Sequence, residues 1–226
     1  MKSIEFIDIP TEQTTAATDV ILAVQAVGSI LYLRKIEHKI AADDDERSKI
    51  RIWSAGLGLL GTSAALGAVA HGLKMSEQTR DLFWQPLSLS LGLTVSLFVV
   101  GVVYDLWGDQ AARRILPVML LIGFSFYLIT RIIPGSFLIF ILYEAAALLF
   151  ALGAYAWLAI RKRKPGAKWM TIGILLSLIA AAIPTRKPLF VELIWKFDHN
   201  GIYHIVQMFG LLALMAGLRA GLLAEQ

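Results

Sequence analysis

The sequence predicts an all-α polytopic membrane protein, a bundle of seven transmembrane helices with the N-terminus out and the C-terminus in. Three observations predict it. The 226 residues are 57% hydrophobic with a mean hydropathy of +0.67, too apolar for a soluble domain, in which about half of the residues are apolar. The apolar residues fall into seven stretches near the ~20 residues that a helical span needs. Basic residues collect in alternate loops, as orientation in a membrane requires. None of the stretches alternates apolar and polar residues as a barrel strand does.

The first stretch, about 12–36, follows a short polar lead and carries Asp19. The lead has no basic region before a short apolar run and cleavage site, so no cleaved signal peptide is expected. The loop from Arg34 to Arg51 sets Asp43, Asp44, Asp45 and Glu46 between basic clusters. It lacks the spaced oxygens and glycine of a calcium loop, so it reads as a solvated, self-neutralising segment, with His38 a surface residue. The second stretch, about 51–73, ends near His71, and the third, about 84–107, follows Asp81. The fourth covers about 115–132, and the fifth, about 136–160, carries Glu144. The sixth covers about 167–184, and the seventh, about 200–223, opens on Asp198, His199, Asn200, Gly201, Ile202, Tyr203 and His204.

Orientation follows from the loops. Arg34, Lys35, Lys39, Arg47, Lys49 and Arg51 lie between the first two spans; Arg161, Lys162, Arg163, Lys164 and Lys168 lie between the fifth and sixth. These loops should be cytoplasmic, leaving the ends that bear His71 and His199 on the outer face. The net charge of +4 restates this bias and points to anionic lipid, with no implication of nucleic acid. Tyr104, Asp105, Asp109, Arg113 and Arg114 read as an ion-pair cluster at the inner end of the third span. Without cysteine, any metal must be held by nitrogen and oxygen.

Ionisable groups inside a bilayer are costly and face the bundle interior or a wet cavity. At ~1.5 Å of rise per residue, Asp19, Glu144, His204 and Gln207 come to one depth near the outer face, with His71 slightly above. That is either a hydrophilic pocket or a set of interhelical hydrogen bonds. His199 and His204 are five apart and diverge by about 140° on a continuous helix, so they converge only if the last helix begins between them. Asp198, Asn200 and Gly201 suit such a start. The same residues could instead simply cap the helix.

The span plan, the outer His71, the acid Asp81 after it and the pair His199 and His204 resemble the CREST superfamily, which includes the alkaline ceramidases and the progestin and adipoQ receptors. The resemblance implies a zinc ion held by three histidines, here His71, His199 and His204, and amide hydrolysis of a lipid. It also implies a serine and an acid nearby. Asp81 would be the acid. The superfamily's last pair is four apart, not five, and Gly67 stands where its serine would be; Ser63 lies deeper on about the same face.

The residues support that chemistry independently. Three imidazoles leave zinc an open position for activating water. Glu144, Asp19 or Asp81 would serve as base, orient a ligand or complete the coordination. Ser63 and Gln207 would meet the substrate, and Arg131 and Arg186 would hold a phosphate or carboxylate head, unless they merely snorkel to the interface. The expectation is a zinc-dependent hydrolase of a lipid or lipid-like amide or ester at the outer leaflet. The alternative is a non-enzymatic binding or sensing protein with the same His and acid pocket. A retinal protein is excluded, because the last span has no lysine, and a transporter is disfavoured by the single polar layer. The expected setting is a bacterial inner membrane.

Overall fold

A computed structural model describes residues 5–40, 43–133, 137–184, 189–192 and 194–224. Seven α-helices account for most of them: α1 (Pro10–Ile40), α2 (Asp44–Gly72), α3 (Glu77–Trp107), α4 (Asp109–Ile132), α5 (Phe137–Ile160), α6 (Ala167–Ala182) and α7 (His199–Ala224). Six are long and apolar enough to cross a membrane; α6, at 16 residues, is shorter. Its rise of about 24 Å falls short of the ~30 Å hydrocarbon core.

The helices outrun the apolar stretches because their ends are polar and capped. The acid run read as a loop opens α2 instead. Asp43 is its N-cap and accepts from the Glu46 amide at 2.8 Å, while the Glu46 carboxylate accepts from the Asp43 amide at 3.1 Å. This capping box satisfies two otherwise orphan donors and begins the helix well before its apolar face. Ser76 caps α3 in a similar way, accepting from the Thr79 amide.

Between α6 and α7 the chain makes a hairpin, β1 (Val191–Glu192) and β2 (Lys196–Phe197), paired antiparallel with Val191 opposite Phe197. Thr14 of α1 donates to the Lys196 carbonyl at 2.7 Å, tying the hairpin to the bundle. The chain before α1 adds one rung to the end of α2, with the Ile7 amide donating to the Gly72 carbonyl at 3.0 Å.

Neighbouring helices run in the order α3, α2, α1, α7, α6, α5, and the ring returns from α5 to α3 through sparse contact. α4 packs on the outside of α3 and scarcely touches α5. Close approaches need small residues. A Cβ at Gly173 would meet Leu214 at 2.7 Å, and one at Gly92 would meet the Gly123 carbonyl at 2.7 Å. Burial on α1 recurs at Thr15, Thr18, Asp19, Leu22, Ala26, Ser29, Leu33 and Ile36, the face of one helix. The opposite face exposes Val20, Ile21, Val24, Val27 and Leu31. The polar Thr15, Thr18, Asp19 and Ser29 are thus turned inward beside aliphatic neighbours while the outward face is aliphatic, unlike a water-soluble helix.

At the end of the bundle away from His71, Asp105 of α3 lies buried between two lysines. Lys49 Nζ of α2 stands 3.0 Å away and Lys164 Nζ, beyond α5, 2.8 Å, while the Tyr155 hydroxyl of α5 donates at 2.6 Å. The expected ion-pair cluster is therefore split. Asp109 pairs separately with Arg113 and Ser48, and Asp105 joins three helices through partners that its neighbours in sequence do not supply.

Candidate functional site

The site grows from the first turns of α7. Asp198 caps the helix: its carboxylate accepts from the Gly201 amide at 2.9 Å and from Thr15 of α1 at 3.0 Å. The helix therefore begins at His199, not between the histidines, and His199 and His204 diverge around its axis. Asn200, one turn before His204, shares its face instead. The buried Nδ1 of His199 has no hydrogen-bond partner among the described residues.

His204 is fixed from both sides by α1. The Thr18 hydroxyl donates to the Thr15 carbonyl at 2.8 Å and can then accept from His204 Nδ1–H at 3.0 Å. Nε2 then carries the ring's lone pair when the imidazole is neutral. It faces Asp19 Oδ1 at 3.3 Å. Two acceptors cannot face each other bare; a proton or a metal cation belongs between them. The other oxygen, Asp19 Oδ2, is buried with no hydrogen-bond partner among the described residues. It lies directly over Gly67 of α2, where an added Cβ would come within 2.7 Å of it. The space beside Gly67 is thus filled by a carboxylate from another helix.

His71, one turn above Gly67, is fixed in a matching way. Its Nδ1 stands 2.6 Å from Glu12 Oε2, so Nδ1 is the donor and Nε2 remains for the interior. Trp84 of α3 packs edge-on against the ring, centroids 5.4 Å apart.

Asp19, His71, Glu144, Asn200, Tyr203 and His204 line one cavity of about 300 Å³. A second cavity of about 100 Å³ continues between α2, α3, α5 and α7 and is walled by apolar residues such as Trp53, Leu57, Phe98, Leu148, Leu211 and Met215. Glu144 and Tyr203 line both. A carboxylate and a phenol therefore stand between the two chambers; the larger, here the polar chamber, holds the ionisable side chains on a wall that is otherwise mostly apolar. No described residue hydrogen-bonds the Glu144 carboxylate.

Of the residues expected to act on substrate, Ser63 lines the polar chamber, its hydroxyl bonded to the Leu60 carbonyl at 2.8 Å, and Gln207 lines the apolar one. Asp81 and Arg131 are exposed and line neither chamber, and Arg186 lies outside the described residues. His199 is likewise not among the lining residues. Glu12, Thr18, Asn200 and Tyr203 enter the site unforeseen. Only Asn200 had a signal in the sequence, its one-turn spacing from His204.

The donor chemistry fits zinc: imidazole nitrogens with their Nδ1 sides already held by the protein, and carboxylates from α1 and α5. Among the described residues no three His, Asp or Glu side chains are gathered within reach of a single ion, His71 being held towards Glu12.

Residues 14–223 match the family described as a family of unknown function (DUF6962), and the chain belongs to it. No curated protein and no solved structure matches the chain.

Proposed function

We propose that this DUF6962 member is an integral membrane hydrolase that cleaves an amide or ester bond of a lipid-like amphiphile taken from the outer leaflet. The observation that carries the reading is a pair of adjoining chambers, one holding the histidines and acids and one apolar, with Glu144 and Tyr203 in the walls of both. An amphiphile placed with its head among the histidines and its chain among the leucines sets the bond between head and chain beside those two groups. The aliphatic outward faces of α1 and α4 support a lipid surround. The basic loops support an outer position for the polar chamber.

His71 and His204 are the residues that would hold zinc. When bound, zinc supplies a Lewis acid that makes water nucleophilic near neutral pH. Glu144 accepts a proton from the attacking water, whose oxygen bonds the acyl carbon, and returns it to the leaving nitrogen or oxygen as the old bond breaks. Tyr203 donates a hydrogen bond towards the polarised carbonyl. Trp84 and the α3–α5 wall keep bulk water from the acyl carbon. Among the described residues the polar chamber's lining contains no Lys or Arg, which favours an uncharged scissile head over a phosphate.

The test is release of free fatty acid from single-chain N-acyl and O-acyl amphiphiles by purified protein. Glu144→Gln should lower kcat by about 10²–10⁴-fold while amphiphile binding is kept, the range of a lost acid–base group. No turnover on any such substrate would overturn the reading.

A second reading, an amphiphile-binding or sensing protein without turnover, is favoured by one observation: both nitrogens of His204 already face partners within the protein. It predicts amphiphile retained through purification and left intact.

A further inference from the structure

We infer that Asp19 is a metal ligand, paired with His204, and that α1 thereby supplies a donor that the pattern of three histidines would have drawn from α7. The proposal rests on the reading that the polar chamber holds zinc and names which of this chain's residues hold it.

Three independent features of Asp19 carry it. First is the separation. Zinc bonds imidazole nitrogen at about 2.0–2.1 Å and carboxylate oxygen at about 2.0–2.2 Å, so two ligands on a tetrahedral ion stand about 3.4 Å apart. His204 Nε2 and Asp19 Oδ1 stand 3.3 Å apart, whereas a charge-assisted hydrogen bond closes to about 2.7–2.9 Å. Second is the proton count. With the Thr18 hydroxyl donating to Thr15, Thr18 can accept from His204 Nδ1–H, and in that tautomer the Nε2 lone pair is aimed at the carboxylate. A cation bonded by both atoms resolves that opposition. Third is the unused oxygen. Oδ2 of a residue only 4% exposed has no hydrogen-bond partner among the described residues, a costly state for a carboxylate that serves only structure.

Gly67 explains how the carboxylate reaches this position. Its missing side chain is the space in which Asp19 sits, and a methyl there would lie 2.7 Å from Oδ2 and 3.0 Å from the carboxyl carbon. The glycine and the aspartate act as a unit: α2 gives up a side chain, and α1 fills the place with an anionic oxygen. The remaining coordination positions face the chamber that His71 also lines. His199 takes no part.

The experiment measures zinc stoichiometry and affinity of the full chain in detergent by elemental analysis and competition with a chromophoric chelator. Wild type is compared with Asp19→Asn, Gly67→Ala and His199→Ala, each matched for helicity and elution volume. The expected result is about one zinc per wild-type chain, an affinity at least ~10-fold weaker in Asp19→Asn and Gly67→Ala, and no change in His199→Ala. Gly67→Ala removes no donor atom, so its loss of affinity reports displacement of Asp19 and stands even if Asp19→Asn fails to fold. Zinc held with wild-type affinity by both Asp19→Asn and Gly67→Ala overturns the assignment while leaving the zinc reading intact, as does loss of zinc from His199→Ala. A wild type that takes up no zinc at all overturns both.

Discussion

Thr18 shows how much at this site depends on one proton. Its hydroxyl oxygen is the acceptor for His204 Nδ1–H in a place closed to solvent. Thr18→Val keeps the shape and removes the acceptor, leaving a buried donor unpaired at a cost of about 1–3 kcal/mol. Unfolding by graded SDS should show that loss, and Thr18→Ser should recover most of it. Asp19, His71, Glu144 and His204 were legible in the sequence because an ionisable group in an apolar stretch has to be turned inward. The partners were not. Thr18 is too common in helices to stand out, and Glu12 opens the first stretch, where an acid looks solvated. His199 was misleading because residue type points to a ligand more readily than helical phase does. Asn200 has the right phase and a less suggestive side chain.

At the scale of the element, hydropathy located all seven helices but not their ends. The ends depend on caps: Asp43 and Glu46 read as charge balance when counted and as a capping box when spaced. Removing the cap of α7 should matter more, because Asp198 also receives Thr15 of α1. Asp198→Ala should cost about 0.5–2 kcal/mol as a cap, and it should also loosen α1 against α7, seen as faster amide exchange at Gly201 and Ile202. The hairpin was not legible, since strands of two residues carry no alternation to read. Nor was the convergence of Lys49 and Lys164 on Asp105, which joins residues far apart in the chain. Lys49 is 1% exposed, so Asp105→Ala strands a buried cation and should destabilise the bundle by about 3–5 kcal/mol. Combining it with Lys49→Met should restore part of that loss, measured by thermal unfolding in detergent.

Across the whole molecule the ring of helices is tight on the α1, α2 and α7 side and loose between α3 and α5. The two loose helices are bridged beside the chambers by the Tyr143 hydroxyl, 2.8 Å from Ser96 Oγ, and at the far end by Tyr155 on Asp105; Tyr143 also stacks on Phe126 of α4, centroids 4.0 Å apart. The next residue, Glu144, faces the chambers. That wall is where an amphiphile would enter from the bilayer. Tyr143→Phe should speed its exchange, followed by the off-rate of a fluorescent single-chain amphiphile. The joining of the two chambers into one amphiphile site is the central claim, and Gly56 tests it most directly. Gly56 lines the apolar chamber, and a Cβ there meets only Leu97, at an ordinary 3.6 Å. Gly56→Leu therefore shortens the chamber without touching the polar end. The measurement is binding across a series of acyl chain lengths with a constant head. If the two chambers form one amphiphile site, Gly56→Leu moves the optimum to shorter chains and leaves the shortest bound as in wild type. An optimum that stays at the same chain length, with every amphiphile weakened equally, would contradict it.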